Sequence, residues 1–315
     1  MQGIMHVTFI HGLSNKPAPD ALLSIWNRAL ASGMDGVDLG AEGVTSSLVY
    51  WADILYEAPD PDVAAYENAR ELIPSDVDAT ADSFAPLTST PAEAAFLAGL
   101  AVKTGGLLAA PEAVEAVPED RNLTGVALER IPLPWPLKAK FLETYLRDAH
   151  HYLFNAAHSP RPGVIYQIQD AVRSRFVDGL GMSAHTDTHV VIAHSLGSVI
   201  AYDCLMRVVD CPEISGLITV GGPLGLDEIQ DRMAPEWSRA NGFPRKVTGQ
   251  WANIFDRLDP VSGFDPFIAN DFRRDNERAV EDIAVRNDGA WRHSITKYLR
   301  QPALRQTLSN MLGLS

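Results

Sequence analysis

One run, Val190 to Ala201 (Val-Val-Ile-Ala-His-Ser-Leu-Gly-Ser-Val-Ile-Ala), restricts the folds open to this chain more than any other feature. Thr188 to Ala193 is largely β-branched and apolar, the pattern of a strand buried on both faces. Gly197 to Met206 can wind as a helix, so Ser195 falls on the tight turn between a parallel strand and a helix. A serine on such a turn has a strained backbone, and only small side chains fit two residues before and two residues after it. Ala193 and Gly197 hold those places, with alanine standing where glycine is usual. A hydroxyl presented this way leaves the end of the sheet beside the N–H groups that open the helix. There, a weak nucleophile can attack a carbonyl.

Other β-branched or aromatic runs, at 7–10, 46–51, 189–193, 217–220, 251–255 and 283–285, read as strands. Amphipathic patterns at 20–31, 163–180 and 195–209 read as helices between them. Strands alternating with helices predict an α/β chain with a mostly parallel, doubly wound sheet covered on both faces. Residues 58–162 break the pattern: they are rich in Ala, Pro and Glu, offer few strand candidates, and carry helical stretches at 91–108 and 137–155. Pro-rich joints such as Ile131-Pro-Leu-Pro-Trp-Pro136 divide them. The expectation is one domain over 1–315, with about 58–162 as a helical, cap-like insertion beside the sheet's carboxyl edge.

Composition narrows the partners. A net charge of −14 argues against nucleic acid or an anionic membrane surface. The most apolar stretch, 96–110, is interrupted by Lys103, Gly105 and Gly106 and is too short to span a bilayer, so no stable membrane insertion is expected. Met1 to Ile10 lacks the basic and apolar regions of a signal peptide, which makes the cytoplasm the expected location. Two cysteines, Cys204 and Cys211, build neither a disulfide framework nor a metal site. No feature specifies an oligomeric state.

Three further segments fit the serine turn. His11-Gly12-Leu13 directly follows the first strand; Gly12 permits close backbone approach to a substrate, and the Leu13 N–H with that of Leu196 would form a two-donor oxyanion hole. Asp259, held extended by Pro260 after the strand ending near Phe255, is the favoured carboxylate, with Asp256 competing for the role. His293 follows the turn Arg286-Asn-Asp-Gly289 and stands before the final helix, where it can reach back to Ser195. The order Ser195, Asp259, His293 is that of the α/β-hydrolases and not of the other serine-triad folds.

With these residues in hand, the chain resembles the α/β-hydrolase-fold serine hydrolases, esterase- or lipase-like. It is similar to a little-described bacterial group with the elbow His194-Ser-Leu-Gly-Ser198, a Gly222-Pro223-Leu224 after the next strand, and an Asn253-x-x-Asp-x-x-Asp-Pro-Val261 acid loop. The resemblance covers the first strand and everything from about residue 163 onward. It implies ester or thioester hydrolysis through an acyl-enzyme, on a small-molecule or lipid ester, with no cofactor and no metal. His11, Gly12, Gly222 and Pro223 are then expected to line the substrate. An acyltransferase of the same fold and a non-catalytic binding protein on that scaffold are the alternatives.

The other histidines read as incidental. His194 adjoins the serine but diverges from it and is expected to pack beside the sheet. His185, Asp187 and His189 precede or open a strand, where alternation puts them on one solvated face. His150, His151 and His158 are expected at the surface.

Overall fold

The computed structural model describes residues 3–61, 147–183, 185–288 and 292–314. In these residues the chain is α/β, with a six-stranded sheet flanked by helices on both faces. Its strands are β1 (Met5–Ile10), β2 (Val44–Val49), β5 (Thr188–His194), β6 (Ile214–Val220), β7 (Val247–Asp256) and β10 (Val280–Val285), in the order β10-β7-β6-β5-β1-β2. Every pairing is parallel. Two short antiparallel hairpins lie outside it: β3 (Ala157–Arg161) with β4 (Val164–Gln167), and β8 (Arg273–Arg274) with β9 (Glu277–Arg278).

Successive strand residues point to opposite faces, and both faces are buried, so the strands read as nearly continuous apolar runs. In β5, Val190 and Ile192 pack into one core while Val191 and Ala193 pack into the other. The first core is closed by Trp26 and Leu30 of α1 (Pro19–Ala31), by α6 (Ile295–Leu299), and by Leu304 and Leu308 of α7 (Pro302–Leu312). The second is closed by α2 (Ala52–Leu55), Val172 and Phe176 of α3 (Ile168–Gly181), by α4 (Leu196–Arg207), and by Ile229 and Met233 of α5 (Asp227–Met233).

From β1 the chain steps outward to β2, then returns past β1 to β5 and continues β6, β7, β10. The direction of winding therefore reverses between β1 and β5. In open α/β sheets, the crevice at the carboxyl ends of the strands at such a switch is where ligands bind. His11 follows β1 and Ser195 follows β5, on the two sides of that crevice.

Several expectations need correction. The pattern read as one helix over 163–180 is a strand and then a helix: Gly163, at φ 79°, follows Pro162 and turns the chain, so Val164–Gln167 pairs back on β3 before α3 starts at Ile168. The stretch expected to offer few strands thus contributes β3 at its end. Helix over 147–153 agrees with the end of the expected 137–155 helix; the 91–108 helix and the Pro-rich joints lie outside the described residues. His150 and His151 are buried, not superficial, and His158 is half-buried with Nε2 2.9 Å from the Leu55 carbonyl. His185, Asp187 and His189 do not share a solvated face: His189 is buried with Nε2 2.8 Å from Thr8 Oγ1, Asp187 accepts the Ile4 N–H at 2.8 Å, and His185 is exposed. No described helix is long and apolar enough to cross a membrane.

Candidate active site

The turn after β5 has the geometry that its sequence predicts. Ser195 has φ 56° and ψ −128°, a backbone region that costs a non-glycine residue about 1–3 kcal/mol. The surroundings fix it there: the Ser195 N–H donates to Val220 at the end of β6 (2.9 Å), the Ser195 carbonyl accepts the Ser198 N–H (2.9 Å), and Ser198 Oγ donates to Ala193 O (2.9 Å). Gly197 must be small because a Cβ there would lie 2.7 Å from the His11 carbonyl, where α4 starts against the end of β1.

His293 completes the contact. Its Nε2 is 2.8 Å from Ser195 Oγ, and its Nδ1 is 2.9 Å from both carboxylate oxygens of Asp259. With Nδ1–H donating to the carboxylate, Nε2 is free of its proton and accepts the serine hydroxyl. Asp259 Oδ1 also accepts the N–H groups of Val261 (2.7 Å) and Ser262 (3.3 Å). All three side chains are buried, Ser195 to 1 % exposure.

The structure separates the two competing carboxylates. Asp256, the last residue of β7, accepts the Leu258 N–H at 2.8 Å, the Asn287 N–H at 2.7 Å and Arg292 at 3.2 Å. It ties the turn after β7 to the segment carrying His293, while Asp259 faces the imidazole.

The loop after β1 is built for close approach. A Cβ on Gly12 would lie 2.4 Å from Ser195 Cβ, so only glycine lets this loop sit against the serine. Among the described residues, neither the Leu13 nor the Leu196 amide donates to a backbone acceptor. His11, expected to line the substrate, is instead fully buried behind the loop. Its Nε2 accepts the Trp51 N–H at 2.9 Å, which places its proton on Nδ1, 2.7 Å from the Gly12 carbonyl. Its ring stacks on Trp51, and burial, aided by nearby Lys16, holds its pKa well below the usual value. Ser14, at φ 71°, donates its N–H to the buried Asp148 at 2.8 Å, and Lys16 Nζ caps the carbonyls of Leu13, Ser14 and Asn15.

The loop after β6 closes the other side. Gly222 backs onto Ser198, where a Cβ would lie 2.6 Å from Oγ, and Pro223 is buried next to it. Gly221, at φ 56°, leaves room for the Asp259–His293 pair; a Cβ there would be 2.9 Å from Asp259 Oδ2. Among the described residues no group of three His, Cys, Asp or Glu side chains could hold a metal ion. The chain matches no protein-family model, no curated protein and no solved structure.

Two contacts of this site were not read from the sequence. His194 is buried, with Nε2 2.9 Å from the His293 carbonyl and its ring 4.7 Å from that of His293. Since a carbonyl only accepts, Nε2 carries the proton; burial lowers the His194 pKa well below its usual value, and the nearby His293 adds to this. The other is Tyr298, whose hydroxyl meets Asp259 at 2.7 Å. Nothing in the sequence around Tyr298 marks it as a partner of Asp259, whereas the serine turn and the order of the acid and histidine mark Ser195, Asp259 and His293.

Proposed function

We propose that this chain is a serine hydrolase of the α/β-hydrolase fold that cleaves carboxylic ester or thioester bonds through an acyl-enzyme. The observation that carries the reading is the continuous contact Ser195 Oγ–His293 Nε2 with His293 Nδ1–Asp259, anchored on a serine whose backbone is held at φ 56°. Support comes also from chain order: the serine follows β5, the acid β7 and the histidine β10 of one parallel sheet.

In this reading His293 Nε2 takes the Ser195 proton as Oγ bonds to the acyl carbon, and the carbonyl π electrons move onto oxygen. The Leu13 and Leu196 amides donate to that oxyanion, and the Asp259 carboxylate stabilises the imidazolium. Collapse of the tetrahedral species breaks the bond to the leaving oxygen or sulfur, which takes the proton from His293. Water then attacks the acyl-serine with His293 again as base, releasing the acid and restoring Ser195.

The test is labelling with a fluorophosphonate probe together with turnover of p-nitrophenyl esters of graded chain length. Wild-type protein should be labelled and active, and Ser195→Ala should be neither. Folded wild-type protein that takes no label and turns over no ester of the series would overturn the proposal.

A further inference from the structure

Tyr298 lies in α6, five residues beyond His293 on the same segment, and is fully buried. Its hydroxyl accepts the Asp256 N–H at 2.9 Å and donates to Asp259 Oδ2 at 2.7 Å. Burial pushes the phenol pKa well above its usual value, so the group remains a donor. Oδ1 of the same carboxylate takes the Val261 and Ser262 N–H groups, so each oxygen facing His293 carries another donor. The imidazole Nδ1 sits at 2.9 Å from both.

We propose that Tyr298 is the positioning residue of this site's acid: its hydroxyl fixes the Asp259 carboxylate plane and draws charge from Oδ2, setting how strongly the pair holds a proton on His293. The inference rests on the serine-hydrolase reading. Among the described residues, the other charged or titratable groups near the pair have other engagements. The Asp256 carboxylate is taken by Arg292 and the Asn287 N–H, His194 donates to the His293 carbonyl, and Lys16 caps the Leu13–Asn15 carbonyls.

A hydrogen bond to a carboxylate stabilises its charge, so removing one leaves a more basic carboxylate and a more stable imidazolium. The second-order rate of fluorophosphonate labelling, followed against pH, reports the fraction of His293 able to accept the serine proton. Tyr298→Phe should lower the plateau and raise the midpoint of the acid limb by roughly half a unit or more. Incorporation of 3-fluorotyrosine at position 298, a stronger donor of nearly the same shape, should move that midpoint down. This second arm decides the matter if Tyr298→Phe fails to fold. A lowered plateau with an unmoved limb in Tyr298→Phe, or a limb unmoved by 3-fluorotyrosine, assigns Tyr298 to packing alone and overturns the inference while leaving the hydrolase reading intact. Absence of labelling in folded wild-type protein overturns both.

Discussion

The His11 imidazole donates from Nδ1 to the carbonyl of Gly12 at 2.7 Å, and that carbonyl belongs to the peptide unit whose N–H is the Leu13 amide. In a trans peptide the C=O and N–H point in opposite directions. A histidine that pins the carbonyl on the buried side therefore turns the Leu13 amide away from itself, as the proposed oxyanion-hole role requires. Trp51 fixes the tautomer that makes this donation possible, by occupying Nε2 with its own N–H.

His11→Phe keeps a flat ring beside Trp51 but pins no carbonyl. Under the proposed mechanism it should reduce kcat on a p-nitrophenyl ester by about 10- to 100-fold with little change in KM, as expected for a donor used only in the transition state. It also leaves the buried Trp51 N–H unpaired, at a stability cost of about 1–3 kcal/mol. Steady-state kinetics and a urea melt on the same sample measure the two effects. An unchanged kcat would refute the orienting role.

Gly12→Ala is a steric test. Its Cβ would have to share space with Ser195 Cβ at 2.4 Å, so either the loop retreats or the serine turn distorts. Loss of at least about 100-fold in kcat/KM is expected, comparable to removing one oxyanion donor. Circular dichroism should remain that of the native protein, because the change is confined to the end of the sheet. Full activity in this variant would mean that the loop does not form part of the site.

What the sequence revealed is what local chemistry encodes. Ser195 and Asp259 sit just past a strand beside a glycine or proline cue, His293 lies between the end of β10 and a helix, and parallel pairing carries the ends of these strands to one edge of the sheet. The β3–β4 hairpin was concealed because residues 164–180 hold enough helical periodicity to run across Pro162-Gly163, although that dipeptide is itself a turn signal. The burial of His150 and His151 was not legible: the helical pattern does not say which of its faces is covered, and the rings lie against each other and against Phe154 and His158. The roles of His11, His194 and Tyr298 share that cause: each depends on a partner brought together by the sheet.

Ser195→Gly and Ser195→Ala should differ in stability although, under the proposed mechanism, neither should be labelled. Alanine keeps a Cβ at φ 56° and ψ −128°, whereas glycine adopts such angles without penalty. Opposing this, glycine loses more entropy on folding, by roughly 0.5–1 kcal/mol. With strain of about 1–3 kcal/mol, glycine should be more stable than alanine by on the order of 1 kcal/mol. The comparison is a pair of urea denaturation curves, and equal midpoints would show that the turn carries no net strain.

Acid should weaken the fold through histidines that are buried as neutral rings. Burial lowers His151 and His189 to about 4, with neighbouring histidines contributing, and it lowers His11 and His194 well below the usual value. For a histidine of depressed pKa the unfolded chain binds the proton first. The stabilisation is therefore complete above pH 6.5 and is lost as pH falls toward the folded value. Between pH 7.5 and 5.5 most carboxylates stay ionised, so the histidines dominate the change, each contributing on the order of 1 kcal/mol by pH 5.5. The urea midpoint should fall steadily across that interval. Replacing His151, whose Nδ1 has no hydrogen-bond partner among the described residues, with leucine should flatten part of the decline without costing a hydrogen bond at that atom. A midpoint that stays constant from pH 7.5 to 5.5 would show that these rings are not held neutral by the fold.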